Sequence, residues 1–255
     1  MRPGGFNLLP DVVKNLLIIN GIGFLATLLF QFGLNINLIG ILGLYVPSSS
    51  FFEPYQIVTH LFMHGGFFHI LVNMFVLYMF GSVLENVMGS QRLFILYFVS
   101  GFGAVALHLG VNYIDTITLA NELIQAGVPQ AKLDQLAEAA NQAQRNDVIR
   151  SVNNLTPEIV QQMKSLHASY VIPTVGASGA VFGLLAAFGL LFPNSYLYVM
   201  ALFPVKAKYL VILIGIAELY SELTGAQGNI AHLAHLGGMI FGFLLIKTWG
   251  YKRFN

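Results

Sequence analysis

Five stretches of this chain run 18 or 19 residues without an Asp, Glu, Lys or Arg: Asn15 to Gly33, Phe67 to Leu84, Leu93 to Val111, Gly176 to Pro193, and Gly228 to Ile246. A helix of ~20 residues crosses the hydrocarbon core of a bilayer, and inside lipid a backbone must satisfy its own hydrogen bonds. These windows therefore predict membrane-spanning helices. A shorter window, Tyr209 to Leu223, carries Glu218 and is expected to be a helix buried among the others, which makes six spans. Only 9% of the 255 residues are charged, far from the ~25% of soluble domains, so the chain cannot clothe a water-facing surface. A net charge of +1 excludes the basic footprint of a nucleic-acid partner. With no cysteine there is neither a disulfide framework nor thiolate chemistry.

Lys and Arg placement sets the orientation. With both termini in the cytoplasm, the inner segments hold Arg2, Lys14, Arg92, Lys206, Lys208, Lys247, Lys252 and Arg253, eight of the twelve basic residues. The other four share one polar segment, residues 113–175, with six acids. There Leu119, Leu123, Leu133, Leu136, Val148, Ile149, Val152, Ile159, Val160 and Met163 recur at helical spacing, so the segment reads as three or four short helices. Pro129 breaks the first, and Thr156-Pro157-Glu158 reads as a capped helix start. The expected organisation is one membrane domain in three parts: residues 1–112 with spans one to three and a membrane-associated outer loop, a helical extramembrane insertion at 113–175, and residues 176–255 with spans four to six. The first window lacks a small-residue cleavage signature and reads as a retained helix.

Polar side chains are costly inside a membrane, so the histidines need a reason. His69 and Asn73 lie four apart on one helix face near the outer end of span two. Ser178 opens span four, and His235 lies a few residues into span six. Spans two, four and six all start at the outer face, so at ~1.5 Å rise per residue these groups share a level about 5 to 12 Å deep. A serine hydroxyl beside a neutral imidazole is a nucleophile beside its base. The start of a helix adds free N–H groups and a positive dipole end for a developing oxyanion. With no intramembrane Asp recognised to orient His235, a Ser-His dyad is expected rather than a triad. Gly179-x-x-x-Gly183 and Gly238-x-x-x-Gly242 are small-residue faces that let spans four and six approach closely. His108 and His167 read as structural.

Three motifs carry a likeness: His60-x-x-x-His64-x-x-x-x-His69-x-x-x-Asn73, Gly176-x-Ser178-Gly179, and Ala234-His235-x-x-Gly238-x-x-x-Gly242. In this order, on alternate spans, they resemble the rhomboid intramembrane serine proteases. The resemblance implies an all-α, six-helix bundle without a metal or organic cofactor, cutting transmembrane segments of membrane-protein substrates. It also implies an integral protein, of a bacterial inner membrane, with an active site opening to the outer face. Ser178 would be the nucleophile and His235 the base, with His69, Asn73 and the Ser178 N–H as the oxyanion site. Glu85 matches a buried structural acid, while His60, His64, Gly176, Gly179, Gly238 and Gly242 support the site. Phe182 stands where some relatives have Tyr, and Tyr55-Gln56 where some have Trp-Arg.

Two other readings compete with this one. A histidine-rich haem or metal membrane protein could use His60, His64, His69, His232 and His235 as ligands, but the sequence suggests no acid beside them and leaves Ser178 unexplained. His232 matches no catalytic position. A rhomboid-like membrane chaperone without catalysis would lack Ser178 or His235, and both are present.

Overall fold

The computed structural model describes residues 6–153, 155–199, 202–224 and 231–254. Arg2 and the start of the last apolar window, from Gly228, lie outside these. The first helix, α1 (Asp11–Gly33), has no side-chain cap of its own. Its first free amides are taken from a distance, because Glu85 accepts from Val12 N–H and Val13 N–H, both at 3.0 Å, and from the Ser90 hydroxyl at 2.6 Å. A carboxylate at a helix N-terminus answers both the unsatisfied donors and the dipole. Glu85 thus ties α1 to α2 (Phe67–Met88), a helix widened by a π-helical segment at Leu77–Gly81.

Between α1 and α2 the chain forms a loop with short helical turns at Leu38–Leu42 and Gln56–Thr59. Gln56 is its hub. Its buried amide accepts from Glu53 N–H and donates to the carbonyls of Ile41 and Phe51.

The third helix, α3 (Ser90–Gln125), is 36 residues long and runs without a break through Tyr113. The polar segment was expected to begin there; instead its first dozen residues are the last turns of the same helix. After Pro129 follow α4 (Gln130–Glu138), α5 (Gln142–Arg150) and α6 (Pro157–Val171). Asn141 caps α5 and Thr156 caps α6, its hydroxyl accepting from Ile159 N–H. Leu123 of α3, Val128, Leu133, Leu136, Ile149, Met163 and Leu166 make a hydrophobic core of their own.

The last third holds α7 (Ser178–Leu191), a two-stranded antiparallel hairpin of β1 (Tyr196–Val199) and β2 (Phe203–Lys206), α8 (Ala207–Thr224) and α9 (His232–Thr248). The hairpin pairs Tyr196 with Lys206 and Val199 with Phe203, a small exception to the all-α expectation. Among the described residues three helices, α1, α2 and α3, are long and apolar enough to span a bilayer. The 14 residues of α7 cover only ~21 Å at helical rise, short of the ~30 Å hydrocarbon layer that a full span would cross.

Lipid tails are as apolar as leucine, so close packing rather than water expulsion holds such helices together. A Cβ on Gly238 would collide with the Gly179 carbonyl, and one on Gly242 with the Gly183 carbonyl. On its other flank α7 sets Gly183 against Ser100 and Gly179 against Ala104 of α3. These three helices are the tight centre. The expectation that the window containing Glu218 is buried among the others does not hold: Ala207 is the single buried residue of α8, and Ile212, Leu213, Ile216 and Tyr220 are exposed. A cleft of about 660 Å³, lined by Gly189 and Leu190 of α7, Val211 of α8 and Met239 and Phe243 of α9, opens where these helices meet.

Candidate active site

Ser178 and His235 sit on α7 and α9, and the absent side chains of Gly179 and Gly238 let those backbones meet. His235 Nε2 lies 2.9 Å from Ser178 Oγ. The opposite ring nitrogen, Nδ1, lies 2.9 Å from Glu218 Oε2 on α8. A carboxylate accepts, so Nδ1 carries the proton of the neutral ring; Nε2 then offers its lone pair, and the Ser178 hydroxyl donates to it. Phe182, one turn along α7, stacks on the imidazole with ring centres 4.1 Å apart and planes within 7°. It fixes the ring plane without a hydroxyl to compete for either nitrogen.

The approach to Ser178 is an extended segment pinned on several sides. Thr174 and Leu44 exchange both backbone hydrogen bonds, Gly176 N–H donates to the His60 carbonyl at 2.9 Å, and the His60 ring bonds the Gln56 carbonyl. His108 Nε2 lies 3.1 Å from Thr174 Oγ1 and accepts from the Asn112 amide. Gly176 has φ +125°, a conformation that L side chains rarely adopt, and a Cβ there would sit 2.8 Å from His69 Cε1. Glycine is therefore required twice over, for the bend and for the histidine beside it.

His69 packs edge-on against His64, ring centres 5.1 Å apart, and its Nδ1 faces Gly65 N–H at 3.4 Å. The amide marks Nδ1 as the acceptor, which leaves Nε2 as the N–H of the neutral ring. Asn73 is buried, and its Nδ2 has no hydrogen-bond partner among the described residues. The first amides of α7 are likewise without acceptors inside the helix, which begins its ladder with Val181 N–H on the Ala177 carbonyl. His64 is buried with neither ring nitrogen bonded among the described residues. His167 lies apart in the polar segment, its Nε2–H on the Ala139 carbonyl at 2.8 Å, and burial lowers its pKa.

The sequence reading missed Glu218. Besides His235, its Oε2 accepts from His232 Nδ1 at 2.6 Å. The expectation that no acid stands beside these histidines is thus corrected: Glu218 lies against both His232 and His235. The ligand atoms of Glu218, His232 and His235 lie within 4.8 Å of one another, a donor set able to hold a divalent cation. The available signal was Glu218 as the first carboxylate met along the apolar run that starts at Tyr209.

The family model described as Rhomboid domain matches residues 52–122 and 154–252, well over half of the chain. This chain belongs to the rhomboid family. It is 27% identical over 194 residues to RHOMBOID-like protein 1 of Arabidopsis thaliana, covering 76% of this chain and 34% of that protein. It is 26% identical over 190 residues to "Rhomboid protein 1, mitochondrial" of Saccharomyces cerevisiae, covering 74% and 40%. With "Putative rhomboid protease YdcA" of Bacillus subtilis it shares 24% over 195 residues, 76% of this chain and 66% of that one. This rhomboid spans about a third to two fifths of the length of the plant and yeast relatives. Membership and the apolar helices make it an integral membrane protein. The mitochondrial name of the yeast relative gives no support to a bacterial inner membrane. The rhomboid match skips residues 123–153, the turn after α3 with α4 and α5.

Proposed function

We propose that this rhomboid is an intramembrane serine endopeptidase, with six spans and both termini on the Lys/Arg-rich face of the membrane. The observation that carries the reading is the 2.9 Å contact between His235 Nε2 and Ser178 Oγ. Ser178 Oγ attacks the carbonyl carbon of a peptide bond in or just outside a substrate's transmembrane segment, and its proton passes to Nε2. The carbonyl electron pair moves to oxygen, where the Ser178 N–H, His69 and Asn73 supply donors. As that pair returns, the C–N bond breaks and the amine leaves with the proton from Nε2. Water then repeats the sequence on the acyl-serine, releasing the acid and restoring the hydroxyl.

The helices around residues 130–171 frame the substrate entrance and give no catalytic group. A second reading, a metal-binding membrane protein, draws support from the Glu218, His232 and His235 donor set.

The test is a fluorophosphonate probe on purified protein together with cleavage of a single-span substrate. Ser178→Ala and His235→Ala each abolish cleavage, the double variant is no worse than either, and a chelator leaves the wild type unchanged. Cleavage surviving in Ser178→Ala removes the protease reading, and loss of activity on chelation turns the assignment toward the metal.

A further inference from the structure

A carboxylate on a helix that otherwise faces lipid carries a cost that packing does not repay. Glu218 is 15% exposed, while Ile216, Leu219 and Tyr220 around it are about half exposed or more. Its Oε2 reaches two rings on α9, three residues apart on one face, at 2.6 Å and 2.9 Å. We infer that Glu218 is a positioning residue for His235, held in register by His232, so that Ser178, His235 and Glu218 act as a linear set of three. The inference rests on the protease reading.

Several observations converge on this role. A neutral imidazole has one N–H, and which nitrogen bears it decides whether Nε2 is a base or a donor. The carboxylate at Nδ1 selects the form with the lone pair toward Ser178, and it faces the positive charge that the ring gains when the serine proton arrives. Glu218 stays ionised throughout, and Nδ1 keeps its proton. Stacking on Phe182 holds the plane of the ring but leaves its two nitrogens equivalent by shape, so stacking alone cannot choose the tautomer. His232 supplies what α8 lacks: a second donor on the same oxygen that fixes the carboxylate from the α9 side.

The experiment compares Glu218→Gln, Glu218→Asp and His232→Ala with wild type in three readouts: kcat and KM on a single-span substrate, the rate of fluorophosphonate labelling of Ser178, and the melting temperature in detergent. Glu218→Gln is expected to lower kcat and labelling by ~100-fold or more, with KM changed less than about threefold, as loss of the ring-orienting carboxylate does in serine triads. Glu218→Asp, which keeps the charge and loses one methylene of reach, recovers at least about tenfold of that loss. His232→Ala retains measurable activity above that of Glu218→Gln.

Wild-type kcat in Glu218→Gln, with Ser178→Ala inactive, overturns the role of Glu218 and leaves the protease reading standing. Equal losses in the Asp and Gln variants that follow the melting temperature also overturn it, because they mark a purely structural carboxylate. If Glu218→Gln melts below the assay temperature, its labelling per folded molecule is compared with wild type at a lower temperature where both are folded: a fall of at least about fivefold supports the role and an unchanged rate removes it. Activity in Ser178→Ala is a separate result and overturns the underlying protease reading.

Discussion

Helices α7 and α8 follow one another in the chain and could hardly be held more differently. Eleven of the 14 residues of α7 are buried, and Gly179 and Gly183 sit against backbone atoms of α9. On α8 one residue of 18 is buried, and Glu218 is its polar link to the His232 and His235 rings. Ser178 and His235, the proposed nucleophile and base, thus rest on a contact with no side chain to adjust, while Glu218, proposed to orient the base, arrives on a helix with one buried residue. Geometry that must hold within tenths of an ångström is assigned to backbone-to-backbone packing, and a strong directional hydrogen bond compensates where packing is thin.

The largest expected effect breaks the tight side. Gly238→Leu drives a side chain into the Gly179 carbonyl, which cannot yield, so a loss of upwards of ~3 kcal/mol and little folded protein are expected by thermal melting in detergent. Leu213→Ala on the exposed face of α8 should stay within ~0.5 kcal/mol of wild type. Similar losses at both sites would erase the distinction. Next, Asn73→Ala removes a buried donor without perturbing the glycine contacts. Turnover should fall ~100 to 1,000-fold with a smaller rise in KM and an unchanged melt, and a rise in KM at constant turnover would reassign Asn73 to binding.

The smallest effect lies in the polar segment, at His167. Burial holds His167 neutral, with a pKa below its ordinary 6.5. The unfolded segment takes up a proton near pH 6.5 and the folded one does not, so its stability is complete above that pH. Stability declines by at most ~1.4 kcal/mol per unit as pH falls from 6.5 toward the folded value. Hydrogen exchange of the Leu133, Leu136 and Met163 amides should slow less from pH 7.5 to 5.5 than the base-catalysed intrinsic rate does, an excess that reports the lost stability. His167→Gln should remove that excess, and an undiminished excess would place the proton elsewhere.

What the sequence made legible was whatever is local. His69 and Asn73 share a face because they are four apart, Thr156-Pro157 starts a helix because capping is a matter of neighbouring residues, and the glycine faces are visible as spacings. Glu218 escaped because its meaning lies 17 residues away on another helix: its own window shows a polar exception but not which ring it meets. The same window led to the wrong burial for α8, since an apolar run is equally suited to lipid and to protein. The hairpin was hidden by its size, four residues a strand, although Tyr196-Leu197-Tyr198-Val199 is aromatic and β-branched enough to suggest it. The length of α3 was not legible because charges such as Asp115 and Glu122 end an apolar window, and a helix has no obligation to stop where its apolar residues do.

That helix continues as a mast. At helical rise α3 measures ~54 Å, some 24 Å more than the hydrocarbon layer, and Leu123 near its tip is part of the small outer core. A soluble module can be seated this way without a hinge, its orientation inherited from the membrane helix beneath it. Because the stretch passed over by the rhomboid match, 123–153, begins near the masthead and ends before α6 returns toward Ser178, a module of other size could stand there while α7 and α9 keep their glycine contact.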